Sequence, residues 1–424
     1  MKRLLIGFAL GVLALVALVR WLNLRGEDKI QDAPPAPVPT AQQVTRGAYL
    51  ALVGNCAGCH SERGGAAYAG GRGIETPFGV VYSSNLTPDA GTGIGGWSAD
   101  QFWRALHNGR SRDGRLLYPA FPYPNYTMVT RADSDAIFSF LQRQPAVPQA
   151  NKTHGLQWPF SSQAALAVWR ALYFRPGPYV EDARQSVDWN RGAYLVEGLG
   201  HCSACHTQRN ALGANANMMD LSGGLIPMQN WYAPALTSPA EAGVADWPVE
   251  HVVRVMQTGI SPRGSVLGPM AEVVLNSTQY WSADDLRAMA VFLKSLPQTA
   301  APARQEPVAV NTVVAQRGAK LYEQHCVQCH GDKGQGVSGA YPPLAANRAV
   351  LMPQTANLVQ IVLNGGFAPS TAGNPRPFGM PPYVLLLSDA DVAAVLTHIR
   401  GSWNNRAPAV SELDVSRQRS SGTQ

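Results

Sequence analysis

The chain opens on Met1-Lys2-Arg3 and then runs through sixteen uncharged, mostly apolar positions from Leu4 to Val19. Carried on through Arg20, Trp21 and Leu24, the run reaches the roughly 20 residues needed to cross hydrocarbon, with Arg20 snorkelling and Trp21 at headgroup level. No small-x-small cleavage site comes after it, so the pattern favours an uncleaved anchor over a cleaved signal, and both place the remainder of the chain outside the cytoplasm. The Pro-rich stretch Ala33 to Pro39 then reads as a spacer. Beyond it, apolar positions recur at helical spacing in short segments broken by Gly and Pro.

Those segments repeat three times. Each copy opens with Arg46-Gly47-Ala48-Tyr49-Leu50, Arg191-Gly192-Ala193-Tyr194-Leu195 or Arg317-Gly318-Ala319-Lys320-Leu321. A middle helix closes at Asn108-Gly109, Thr258-Gly259 or Asn364-Gly365, where Gly suits a left-handed C-cap. A last helix starts at Thr130, Ser282 or Ser388, with an acid three residues on that suits the positive end of the helix dipole. The pattern divides the chain into an anchor or signal at 1–25, a spacer at 26–41 and repeats at 42–148, 188–298 and 312–403. An aromatic segment at 149–187 is expected to pack across domains, 299–311 reads as a linker, and 404–424 reads as a polar tail that frays at its end.

Composition narrows the classes. Charged residues are 15% of the 424, against about 25% in ordinary domains, and the net charge is only +6. That balance excludes a charged coiled coil, a disordered tail and a dedicated nucleic-acid binder. Gly 41 and Pro 32 together make up about 17% of the chain, which predicts loop-rich domains.

The six cysteines supply the chemistry. They form the pairs Cys56 and Cys59, Cys202 and Cys205, and Cys326 and Cys329, each followed at once by His60, His206 or His330. Thiols three apart on one helical turn project together, and the next residue adds an imidazole on that side. C-x-x-C-H is the pattern of c-type haem attachment, with thioether bonds from both cysteines and the histidine on the iron. Zinc would need a second ligand pair in each repeat, and a thioredoxin-like pair would need a strand-helix setting. Three covalent haems also explain how loop-rich repeats acquire a core. The fold expected is all-α, with three tandem class I cytochrome c domains.

Methionine opposite histidine raises the potential and closes the iron. Met380, in Phe378-Gly379-Met380-Pro381-Pro382-Tyr383, is the candidate sixth ligand in the third repeat, and Met270, in Gly268-Pro269-Met270, in the second. Met256 and Met289 read as core, and Met218, Met219 and Met228 as loop or packing residues. In the first repeat Phe121 stands where the third has Met380. Either Met128 ligates through a re-routed loop, or His107 or water does, or the iron is five-coordinate. The remaining histidines, His154, His201, His251, His325 and His398, read as structural. A ligating histidine gives its other ring N–H to a fixed acceptor, for which Pro342-Pro343-Leu344 is suitably placed, with Pro77 and Pro227 as weaker counterparts.

These repeats, together with Asn85-Leu86-Thr87-Pro88-Asp89, Gly95-Gly96-Trp97-Ser98, Tyr118-Pro119-Ala120-Phe121-Pro122-Tyr123, Met270-Ala271-Glu272-Val273-Val274 and Ser277-Thr278-Gln279-Tyr280, resemble a known family across about residues 42–403. The family is the tri-haem cytochrome c subunits of bacterial membrane-bound dehydrogenases. The resemblance implies an electron-transfer subunit on the periplasmic side of the inner membrane. Its partner would be a catalytic subunit, whether quinoprotein, flavoprotein or molybdenum enzyme, with a small third subunit and ubiquinone or a terminal oxidase beyond. Phe121 departs from members carrying methionine in that loop. The competing readings are a peroxidase-like haem enzyme at an open first haem, and a free-standing membrane-anchored carrier.

Overall fold

The computed structural model describes residues 1–27, 30, 38–215, 220–300 and 312–421. Most of the Pro-rich spacer, most of the 299–311 linker, Met218 and Met219 lie outside the described residues. The chain forms two compact units, the first comprising 1–183, 194–204 and 210–214, the second 184–193, 205–209 and 215–424.

In the first unit, helix α1 (Lys2–Leu24) is followed by α2 (Ala41–Val53) and the short α3 (Cys56–His60). An antiparallel hairpin of β1 (Gly73–Thr76) and β2 (Gly79–Tyr82) precedes α4 (Ala99–Asn108), α5 (Tyr123–Tyr126) and α6 (Arg131–Leu141). Strand β3 (Gly155–Leu156) pairs with β2, and α7 (Gln163–Tyr173) packs on α1. The aromatic segment at 149–187 is therefore built into this unit largely through β3 and α7, and Trp169 Nε1 donates to the Leu212 carbonyl at 2.9 Å.

The second unit begins with α8 (Val187–Ala193). A π-helical stretch, Tyr194–Leu199, continues it into the first unit and leads to α9 (Ser203–His206). Strands β4 (Gly224–Ile226) and β5 (Trp231–Ala233) pair, followed by α10 (Val249–Thr258), the β6 (Ile260–Ser261) and β7 (Gly264–Ser265) hairpin, α11 (Pro269–Asn276) and α12 (Ala283–Ser295). Then come α13 (Thr312–His325), α14 (Val327–His330), α15 (Arg348–Leu351), α16 (Ala356–Asn364), the β8 (Gly366–Phe367) and β9 (Gly379–Met380) pair, α17 (Asp389–Gly401) and α18 (Glu412–Ser421). The molecule is helix-rich, with four small sheets among the described residues.

One crossing recurs three times, α2 on α6, α8 on α12 and α13 on α17. At each, a glycine lets the backbones touch: a Cβ on Gly47, Gly192 or Gly318 would lie 1.8, 2.1 or 2.2 Å from the carbonyl oxygen of Ala136, Ala288 or Ala394. The neighbouring arginine locks the crossing. Arg46 Nη2 lies 2.5 Å from Asp133, Arg191 Nε 2.7 Å from Asp285, and Arg317 Nη2 2.8 Å from Asp391. These acids also donate their backbone N–H to the capping Thr130, Ser282 and Ser388. The capping acid of the sequence pattern is thus also the arginine's partner.

Within the second unit, Tyr232 and Asn357 exchange two 2.8 Å bonds, and Arg348 reaches Asp246 at 2.7 Å. The tail departs from the frayed expectation. Val415 of α18 is fully buried in the core around Val359, Leu363 and Val392, and Arg419 donates to the Val384 and Leu387 carbonyls and pairs with Asp389. One apolar anchor and one arginine cap hold a helix whose other residues are mostly polar. The C-caps Gly109 and Gly259 are left-handed, whereas Gly365 has φ +65° but ψ −160°.

Candidate haem attachment and ligation sites

Each Cys-x-x-Cys-His occupies a short helical turn at the end of a repeat's first helix. Asn55, at φ +50°, turns the chain from α2 into α3, so that Cys56, Cys59 and His60 fall on one turn. Cys202 leads into α9 with Cys205 and His206, and Cys326 leads into α14 with Cys329 and His330. No disulfide joins the six cysteines. Burial, reinforced by Cys59, pushes the Cys56 thiol up to about 12, and burial with Cys329 pushes Cys326 up to about 11. Reactive redox cysteines show the opposite shift to Cys56 and Cys326.

The three imidazoles share one arrangement. His60 Nδ1 lies 2.7 Å from the Ser84 carbonyl, His206 Nδ1 2.7 Å from the Pro234 carbonyl, and His330 Nδ1 3.1 Å from the Pro342 carbonyl. A carbonyl only accepts, so Nδ1 carries the proton and the Nε2 lone pair is left for a metal. Burial holds all three pKa values below the ordinary histidine value, which favours that neutral form.

The acceptors correct two expectations. Ser84 and Pro234, not Pro77 and Pro227, serve the first two histidines, while the third uses Pro342. The signal lies in the repeat register, since Ser84 and Pro234 immediately precede the matched pair Asn85 and Ala235. Asn85 fixes the Ser84 carbonyl from behind. Its Oδ1 accepts from Thr87 N at 2.9 Å and Thr87 Oγ1 at 2.7 Å, its Nδ2 donates to Val147 O at 2.8 Å, and its N–H donates to Asn151 Oδ1 at 2.8 Å. Ala235 has no side chain for this, and its N–H donates instead to Glu241 at 2.8 Å.

Two tyrosines that sequence reasoning did not single out sit beside the cysteine pairs. Tyr126 donates to the Gly54 carbonyl at 3.0 Å and Tyr383 to the His325 carbonyl at 2.8 Å, each just ahead of its motif. Burial, then the adjacent Cys pair, pushes both phenols up. Each follows a Pro-containing loop before the closing helix, so the matched loops lie against matched turns. His201, expected to be structural, is half-buried with its ring edge-on to that of Tyr126, centres 5.5 Å apart.

A profile of the cytochrome c family matches residues 315–403, the stretch around the third motif. Over 397 residues the chain is 37% identical to the cytochrome c subunit of the quinone alcohol dehydrogenase of Gluconacetobacter polyoxogenes, covering 89% of this chain and 84% of the relative. It is 36% identical to the gluconate 2-dehydrogenase cytochrome c subunit of Pantoea cypripedii, covering 100% and 96%. To the fructose dehydrogenase cytochrome subunit of Gluconobacter japonicus it is 33% identical, covering 97% and 90%. The chain belongs to this family of dehydrogenase cytochrome c subunits.

The function of this cytochrome c subunit is electron transfer, with covalent haem c as its iron-bearing carrier. The residues present fit that group: paired thiols, an imidazole with its outer nitrogen already bonded, and a neighbouring loop in every repeat. The methionines are placed differently from one another. Met380 lies on β9, paired with Gly366 and packed on the third repeat's core. Met270 is the second residue of α11, whose N-cap Gly268 packs on the Trp231 ring. Met128 follows α5, with its Cβ facing Gly198 and its carbonyl accepting from Tyr179 N at 3.2 Å. Phe121 lies tilted against Tyr126, the ring centres 5.3 Å apart. His107 is stacked on Trp103 at 4.5 Å and lies 3.5 Å from Thr127 Oγ1. Met289 is core, as its helical setting predicts, and Met228 is an exposed loop residue.

Proposed function

We propose that the subunit carries three haems c, one on each Cys-x-x-Cys-His, in tandem domains over 42–148, 188–298 and 312–403. It is held on the periplasmic face of the bacterial inner membrane by α1. It takes electrons from a catalytic dehydrogenase subunit, a quinoprotein, flavoprotein or molybdenum enzyme acting on CH–OH or aldehyde donors, and delivers them to ubiquinone or another respiratory acceptor. The observation that carries the reading is the threefold recurrence of one ligating geometry, Nδ1 on a backbone carbonyl beside two thiols on the same turn.

When bound, haem supplies a one-electron iron couple. The chain does the rest. Cys56 and Cys59, Cys202 and Cys205, and Cys326 and Cys329 form the thioether bonds, and His60, His206 and His330 ligate through Nε2. The Ser84, Pro234 and Pro342 carbonyls fix the ring orientations, while Met380 and Met270 would supply a thioether ligand in their repeats. The test is a pyridine haemochrome assay against protein mass, with the protein extracted in mild detergent and isolated by a C-terminal tag. Three haems per chain, a copurifying catalytic subunit and a small third subunit are expected. Fewer than three haems overturns the count, and a chain that comes off alone points to a free carrier.

One observation favours a second reading for the first repeat. Phe121 has no ligating atom where the third repeat has Met380, and the Met128 Cβ lies against Gly198. An iron open to small ligands follows, and carbon monoxide binding by the reduced protein tests it. Absence of binding assigns Met128 or another side chain to that position.

A further inference from the structure

The last turn of α1 is built into a polar socket of the first unit. Asn23, only 8% exposed, donates to the Val19 carbonyl at 2.9 Å and the Ala167 carbonyl at 2.8 Å, and accepts from Arg170 Nε at 2.9 Å. Arg25 donates to the Phe174 carbonyl at 2.8 Å. Glu27 pairs with Arg110 at 2.8 Å, and Arg110 also reaches the Asn23 carbonyl at 3.1 Å. Arg170 itself is 3% exposed, with its guanidinium 5.1 Å from the Tyr123 ring centre and 4.8 Å from that of Phe174. Cleavage after Asn23 would leave Arg170 buried without this partner, an arrangement costly for a charge. The socket is therefore made for a chain that keeps α1.

The same contacts set the level of α7. Helix α1 has 23 residues, which at 1.5 Å per residue is about 34 Å, enough to cross hydrocarbon of about 30 Å and bring its last turn out among the headgroups. That turn meets α7 at Ala167, Arg170 and the following Phe174. Helix α7 buries Leu166 and Arg170 on one side and turns Ala164, Val168 and Leu172 outwards, at i, i+4 and i+8 on a single face. Val168 is 48% and Leu172 61% exposed, and Arg175 ends the stripe. Trp21 on α1 is 63% exposed, an aromatic suited to the interface.

We propose that α7 lies in the lipid headgroup layer beside the end of α1, with Ala164, Val168 and Leu172 against the bilayer and Arg175 at lipid phosphate. The placement rests on α1 being a retained membrane span. Its occupant is lipid rather than a protein partner because the stripe continues from a helix that itself runs into hydrocarbon, and because a basic residue closes it as in interfacial helices. The anchor and α7 then hold the first unit by two elements, which fixes its face to the membrane instead of letting it swing on a single helix.

The test uses the full-length protein with its native cysteines taken up by haem, reconstituted alone in phosphatidylethanolamine and phosphatidylglycerol vesicles. Nitroxides are placed at Val168→Cys, Leu172→Cys, the anchor control Leu10→Cys and the exposed control Glu75→Cys, the parent taking no label. Collisions with oxygen, which dissolves in lipid, and with an aqueous nickel chelate are read by power saturation. Positions 168 and 172 are expected to lose nickel collisions and gain oxygen collisions relative to 75, to a smaller extent than position 10, and an added Leu172→Asp should reverse the effect at 168. If position 10 is in lipid while 168 and 172 are as wet as 75, the α7 placement is wrong and the anchor stands. If position 10 is itself wet, the anchor reading fails and takes the placement with it. If 168 and 172 dry out only when the catalytic subunit is added, the stripe is a protein interface and the lipid proposal is overturned.

Discussion

The side-chain amide of Asn125 lies 2.8 Å from the hydroxyl of Ser203, the residue that follows Cys202, and 2.6 Å from the Glu197 carbonyl. Both side chains are buried. A residue of α5 in the first repeat thus holds the turn on which the second cysteine pair begins. Replacing Asn125 with Ala leaves buried polar atoms without this donor, which costs about 1–3 kcal/mol. A lowered urea midpoint for Asn125→Ala is the expected outcome, and an unchanged midpoint would show that the bond contributes nothing.

The methionines are tested by potential. Met380→Ala and Met270→Ala should each lower the potential of one haem and let its iron bind carbon monoxide, because the thioether that favours the reduced state is gone. Redox titration of either variant matching the parent would remove that residue from the ligand set. For Met128→Ala no change is expected if the first iron is open.

The crossing glycines admit no side chain. In Gly192→Ala the new Cβ would meet the Ala288 carbonyl at 2.1 Å, so α8 and α12 must separate. Overpacking of this kind costs about 1–3 kcal/mol, and the carbonyl is backbone that cannot swing aside. Thermal melting of the variant should begin well below the parent, whereas Gly64→Ala on an open loop, at φ +76° with nothing near its Cβ, should be affected by backbone strain alone.

Acid should weaken one link in the second unit. The hydrogen bond from Arg348, 2.7 Å away, is the main cause holding the Asp246 carboxyl below the usual carboxylate range. A depressed folded-state pKa contributes stability above the unfolded value of about 3.9 and loses it as the pH falls through the folded value. Asp246→Asn should therefore shrink the loss of stability below about pH 4, read by urea unfolding at several pH values. Equal acid slopes in variant and parent would rule the pair out as a source.

Part of the site was legible because it is local. Cys326, Cys329 and His330 fall within one helical turn whatever the rest of the chain does, and the same holds at Cys56 and Cys202. The Ser and Thr caps at Ser388 and Thr130 were readable for the same reason. What escaped were partners joined by the path of long loops. Ser84 lies 24 residues from His60, and Pro234 28 from His206, so spacing alone left Pro77 and Pro227 in contention. Helix α18 escaped because its ten residues carry no apolar period, only a single buried valine and an arginine that finds carbonyls on a distant turn.

Three Cys-x-x-Cys-His turns behind an N-terminal apolar helix are written into the residues themselves, since helix pitch converts a three-residue spacing into side-chain proximity without reference to tertiary structure. Packing alone settles that Asp133, Asp285 and Asp391 each face an arginine across a glycine crossing, that Ser84 rather than Pro77 orients His60, and that Asn23 seats α1 on Arg170. Those contacts join residues from 24 to 147 positions apart, and such separations are closed by the docking of whole helices and loops, which no local pattern encodes.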